Sequence, residues 1–139
     1  MNFIELKLIE KIGNVFSIAM AERKYNRYQF VKMWCLSDTF QSILDFEEWL
    51  CSQSKYYIMQ VFDEEFAGKL PEIDEDSPLY AEDAYWLGYV LTYWFFLDGT
   101  NGKEIVKSYD LDRVLDSYDV LHTVSVKTAI DMIKEDDRL

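Results

Sequence analysis

The stretch Ala84 to Leu97, AYWLGYVLTYWFFL, decides the fold class. Of its fourteen residues only Gly88 and Thr92 are not hydrophobic. A helix crossing a bilayer needs about 20 apolar residues, and this run is bounded by Glu82 and Asp83 before it and Asp98 after it. It therefore reads as a buried helix, apolar on every side, with an aromatic ligand groove as the other reading. Its tyrosines and tryptophans can reach polar partners at the core edge. Ala84, Gly88 and Thr92 recur every four residues and form a stripe of small side chains that lets a second helix approach closely.

Outward from this segment, helical spacing continues in both directions. From Phe3 to Ala21 the apolar positions Ile4, Leu8, Ile12, Val15, Phe16, Ala19 and Met20 keep a helical period, with a mild interruption expected at Gly13. Asn26 is positioned to cap a run over Arg27 to Leu36. Ser37 or Asp38 caps a third run carrying Phe40, Ile43, Leu44, Trp49 and Leu50, and Ser54 precedes a fourth, ending near Ala67 and Gly68. GKLPEIDEDSP, from Gly68 to Pro78, holds both prolines and no period, so it reads as a loop and a hinge. DGTNG, Asp98 to Gly102, stops the aromatic helix because glycine and asparagine tolerate left-handed backbone. Short helices follow over Lys103 to Tyr109 and Leu111 to Val120, then one capped by Ser125 that runs to about Glu135. No segment alternates with a period of two and no repeat of solenoid length is visible. The expectation is an all-α, compact single-domain bundle of about seven or eight helices around a buried aromatic helix. Its parts are an N-terminal helical part over 1–67, an acidic loop over 68–79 and a C-terminal helical part over 80–139.

A chain of 139 residues is of single-domain length, and half of it is hydrophobic and 17% aromatic, which excludes a disordered chain. Cys35 and Cys51 lie in apolar settings, and acids and lysines interrupt the start MNFIELKLIEKIGN, unlike a secretory signal. Free thiols and a cytoplasmic location are expected.

Charge divides the chain unevenly. Residues 1–62 carry seven acids and seven bases, so the net charge of −12 lies entirely in residues 63–139. The densest acids, Asp63, Glu64, Glu65, Glu72, Asp74, Glu75, Asp76, Glu82 and Asp83, form the candidate partner-binding surface. Such a surface repels nucleic acid and attracts a basic protein. A solubilising surface is the plainer reading of the same acids. RKYNRYQFVK, Arg23 to Lys32, interleaves four bases with Tyr25, Tyr28 and Phe30, a pattern that can stack on nucleotides. At a helix junction its bases instead complement helix ends while its aromatics pack inward, so no direct nucleic-acid contact is expected.

Catalytic constellations are sparse. His122 is the single histidine, which excludes a two-histidine zinc site, and Cys35 and Cys51 lack knuckle spacing. LHTVSVKTA offers Thr123 and Ser125 beside His122 without a nucleophile elbow; a hydrogen bond from His122 to a backbone carbonyl between two helices accounts for it. DLDRVLDSYD, with Asp110, Asp112, Asp116 and Asp119, fails as a calcium loop because Leu115 and Leu121 stand where glycine and glutamate are required. No phosphate-binding glycine loop is present. No enzyme, metal or cofactor is expected.

The second half resembles an uncharacterised group of small acidic bacterial proteins encoded near toxin genes, including ADP-ribosyltransferase-like ones. The likeness rests on Trp86, Gly88, Tyr89, Tyr93 and Trp94, on Lys103, Glu104 and Ile105, and on His122, Thr123, Ala129, Ile130 and Asp131. Phe95 and Phe96 depart from the group's pattern, where a more polar or histidine-containing continuation is expected. The resemblance covers about the last 55 residues and implies an antitoxin or accessory role without an active site. Two classes of function follow. One is a protein inhibitor, either an antitoxin covering a basic toxin or a phage-encoded, anti-CRISPR-like inhibitor that mimics nucleic-acid phosphates before a defence nuclease. The other is a small-molecule-binding domain with the aromatic helix, including Trp86 and Tyr89, as one wall. A homodimer through exposed aromatics is compatible with both, and so is a purely scaffolding subunit.

Overall fold

The computed structural model describes residues 1–135 and is all-α. Among the described residues ten helices follow one another: α1 (Phe3–Ala21), α2 (Arg27–Leu36), α3 (Asp38–Leu44), α4 (Glu48–Cys51), α5 (Lys55–Glu65), α6 (Ala81–Asp98), α7 (Gly102–Ser108), α8 (Leu111–Asp116), α9 (Tyr118–Leu121) and α10 (Val126–Glu135). A 3₁₀ turn, Ser77–Tyr80, leads into α6.

Capping chemistry sets most boundaries. The Asn26, Ser37, Ser54 and Ser125 side chains accept backbone N–H groups of Gln29, Phe40, Tyr57 and Thr128, so four expected caps are present. Gly99 ends α6 at φ 84°, where only glycine is unstrained. The helix count exceeds the expected seven or eight because two runs break. Phe46, with φ 56°, parts α3 from α4, and the Ser117 amide turns back on the carbonyls of Arg113 and Val114, parting α8 from α9. Gly13 does not interrupt α1, which is continuous across it.

α1 and α6 form the axis of the molecule. Ala84, Gly88 and Thr92 are all buried, and a Cβ on Gly88 would lie 2.7 Å from Phe16 Cγ and 3.0 Å from the Ile12 carbonyl oxygen. The small-residue stripe is thus the seat of α1. Thr92 disposes of its hydroxyl on the Gly88 carbonyl at 2.9 Å. One cluster runs from Leu8 to Ile133, and its aromatic centre joins Phe16, Phe30, Trp34, Phe40 and Phe62 at ring separations of 5.0 to 6.0 Å.

α6 is not buried all round. Its α1-facing residues are sealed, while Tyr85, Trp86, Tyr89 and Tyr93 are half-buried and Leu97 is exposed. The Trp94 indole departs from the expectation of edge contacts: its ring is buried and, like that of buried Trp34, its N–H has no hydrogen-bond partner among the described residues. The 68–79 segment is a loop up to the 3₁₀ turn, but it is no free hinge. The Asn26 amide donates to Glu72 O at 2.8 Å, the Asp74 amide to Lys24 O at 2.8 Å and Ser77 Oγ to Tyr25 O at 2.5 Å, strapping the loop to the α1–α2 junction.

Candidate functional site

A groove of about 770 Å³ opens where α6 leaves the core, lined by Ser17 of α1, by Ala81, Glu82, Tyr85, Trp86 and Tyr89 of α6, and by Tyr118, His122 and Val126. Helical spacing explains the wall, since Glu82, Tyr85, Trp86 and Tyr89 stand three or four residues apart and share a face. Tyr85 is held over Gly13, whose missing side chain makes room: a Cβ there would lie 2.9 Å from the tyrosine ring. The opposite wall is built by the break between α8 and α9, which starts a new helix at Tyr118. Trp86 and Tyr118 meet edge to face with centroids 5.6 Å apart, forming a corner. His122 stacks on Tyr118 at 4.3 Å.

His122 Nδ1 lies 2.6 Å from the Tyr118 carbonyl oxygen. A carbonyl only accepts, so the proton of the neutral ring is on Nδ1. The bond closes within the histidine's own helix turn, a correction to the expected bridge between two helices: the Tyr118 carbonyl, which also accepts the His122 amide at 2.9 Å, lies four residues back and within reach of the ring. Ser125 Oγ is engaged with Thr128 and Thr123 Oγ1 donates to Val120 O, so neither hydroxyl pairs with His122.

The groove lies in a negative field. The Tyr118 phenol is pushed above its ordinary range by burial and then by the charges of Asp83, Glu82 and Asp119. Tyr85 and Tyr89 are raised by burial and by Glu10. Each carboxylate disfavours a second negative charge nearby. The wall is consequently aromatic, neutral and rimmed by acids.

Several of the nine acids expected to form a partner surface also make contacts within the fold. Asp63 is tied to Arg23 Nε at 2.8 Å and also accepts from the Tyr25 hydroxyl. Glu65 accepts from the amides of Asp38 and Thr39 at 2.8 and 2.9 Å and from Thr39 Oγ1 at 2.6 Å, capping α3 from across the fold. Asp83 lies 3.5 Å from Arg27; burial nevertheless outweighs that pairing and holds its carboxyl above the usual range. Asp74 accepts from the Asp76 amide at 3.0 Å, Glu75 pairs with Lys24 at 3.2 Å, and Glu64 accepts from Gln60 at 3.1 Å. Glu72, Asp76 and Glu82 are exposed, and of the nine only Glu82 lines the groove. Three of the four bases of RKYNRYQFVK, Arg23, Lys24 and Arg27, are in ion pairs and Tyr25 and Phe30 are buried, while Lys32 is exposed.

Tyr85, Tyr118 and Val126 escaped the sequence reading of the site, whereas Trp86 and Tyr89 stood out in it. Cys35 is fully buried and burial raises its thiol far above reactivity; Cys51 is half-buried and raised for the same reason. Among the described residues no cluster of histidine, cysteine and acids is placed to hold a metal ion, and no helix is long and apolar enough to cross a membrane. Compared with protein-family models, curated proteins and solved structures, the chain matches none.

Proposed function

We propose that this protein is a non-enzymatic binding protein that inhibits a basic partner protein by taking a cationic, partly apolar segment of it into the groove between α6 and α9. The observation that carries the reading is the coincidence of an aromatic wall, Tyr85, Trp86, Tyr89 and Tyr118, with an acidic rim. Aromatic residues concentrate binding energy at protein interfaces, and rim charges select the partner and raise the association rate. The exposed acids of the loop, Glu72 and Asp76, add to the long-range attraction without belonging to the contact. The resemblance of the second half to proteins encoded beside toxins favours a toxin as the partner, which makes the protein an antitoxin. Inhibition of a defence nuclease by phosphate mimicry is less well supported, because Asp63, Glu65 and Asp83 are spent on contacts within the fold.

The test is a paired affinity capture from the source cells, with the wild-type chain and a Trp86→Ala, Glu82→Gln chain as baits, washed at low and at high salt. The reading predicts a basic protein held by the wild type, released by salt and missing from the variant. The same retained set on both baits, or none on a folded wild-type bait, overturns it.

A further inference from the structure

The groove adjoins a second aromatic and acidic nest that is already filled by the chain itself. Arg27 of α2 is 14% exposed, and its guanidinium lies 3.8 Å over the Tyr80 ring and 4.7 Å from the centre of the Tyr28 ring. Its nitrogens approach Asp83 at 3.5 Å and Asp116 at 3.7 Å, and Nη2 donates to Tyr28 Oη at 2.7 Å. A planar cation between two aromatic faces with two carboxylates at its edges uses every feature that separates arginine from lysine: stacking, a fork of donors and a permanent charge.

The groove holds the same kinds of part on neighbouring residues. Glu82 precedes Asp83, Trp86 follows it by three, and Tyr118 stands two residues after Asp116. The Trp86–Tyr118 corner supplies two aromatic surfaces at 5.6 Å and a large angle, 74°. Glu82 lines the groove and supplies its carboxylate, while Asp83, one residue on, serves Arg27 at 3.5 Å. Two differences matter. The corner has no resident cation, since among the described residues no lysine or arginine lines the groove. It is also open to a ligand from outside, whereas Tyr80 and Tyr28 enclose Arg27.

We infer that the anchor read by this groove is an arginine side chain of the partner, its guanidinium stacked at the Trp86–Tyr118 corner and its nitrogens facing Glu82. Resting on the proposed capture of a basic segment, this deepens it from a charge preference to a side-chain identity. A lysine ammonium meets the same charge but has no plane to stack and no fork to present to the carboxylate, so it is held less well.

The experiment compares three short amphipathic peptides, identical but for their polar positions: arginine with leucine, lysine with leucine, and citrulline with leucine. Citrulline keeps the planar shape and removes the charge. Binding is followed by calorimetry on the full chain and on Trp86→Ala and Glu82→Gln variants. The inference predicts that the arginine peptide binds at least about fivefold tighter than the lysine peptide, that the citrulline peptide binds weakest, and that Trp86→Ala removes the arginine preference. Glu82 is exposed, so Glu82→Gln keeps the fold and is expected to weaken the arginine peptide severalfold even where the Trp86 variant folds poorly. Equal affinity for arginine and lysine, lost together in both variants, overturns the arginine inference and leaves the basic-segment reading standing. No binding of either cationic peptide overturns both.

Discussion

Gly88 and Phe16 are in contact at a distance that no other residue than glycine permits at position 88: a Cβ would stand 2.7 Å from the Phe16 ring and 3.0 Å from the Ile12 carbonyl. The ring is fully buried, and the carbonyl belongs to the backbone of α1, so neither can step aside cheaply. Gly88→Ala therefore forces α1 and α6 apart and is expected to cost about 1–3 kcal/mol, the usual range for overpacking a dense core. Urea denaturation would show it as a lower midpoint with an unchanged slope. An unaltered midpoint would contradict the close α1–α6 seat, and with it the position of the groove wall.

Tyr25 and Asp63 make the second prediction. The Tyr25 phenol is raised far above its ordinary value by burial and by its hydrogen bond to Asp63, while the Asp63 carboxylate in turn raises Arg23. A phenol raised on folding contributes stability that is fully present below its unfolded value, about 10, and is lost as pH climbs beyond that toward the folded value. Melting temperature should fall steeply above about pH 10, and Tyr25→Phe should flatten that fall while lowering stability at neutral pH by about 1.5–3 kcal/mol, the range for a hydrogen bond to a charged group. Identical alkaline limbs for the two proteins would refute the assignment.

Glu64 and Glu65 are adjacent in sequence and opposite in role. Glu65 accepts three hydrogen bonds at the start of α3, whereas Glu64 accepts one from Gln60 on its own helix. Glu65→Ala is expected to lose about 1–2 kcal/mol, as for a lost helix cap, and Glu64→Ala less than about 0.5 kcal/mol. Thermal melts of the pair decide it, and equal losses would count against the cap.

Much of the fold was legible because its signals are local. Asn26, Ser37, Ser54 and Ser125 each cap a helix whose apolar period begins at once, and Gly99 lies in a run of turn residues. The close helix approach was readable from Ala84, Gly88 and Thr92, though which helix comes there was not, since that depends on pairing across the chain. Phe46 was illegible: nothing about a phenylalanine announces φ 56°, where its ring lies 5.2 Å from that of Phe96.

The candidate site was readable only in part. Trp86 and Tyr89 were named as part of a pocket wall on the aromatic helix, but the place of Tyr85 depends on Gly13 beneath it and that of Tyr118 on the break after Asp116. Acid density pointed to residues 63–83 as one surface. Asp63, Glu65 and Asp83 also serve the fold, because charges near a core edge find internal partners, and linear density does not distinguish these from free ones.

The central claim is that Trp86 is where the partner's cationic segment docks. The four tryptophans give four indole N–H resonances, and Trp34 and Trp94 are fully buried while Trp49 is exposed on α4, away from the groove. Titration of the isotopically labelled chain with the arginine–leucine peptide is predicted to move the Trp86 indole resonance saturably and to leave those of Trp34, Trp94 and Trp49 in place. A Trp86 resonance that stays fixed while the peptide binds elsewhere, or does not bind, would contradict the account.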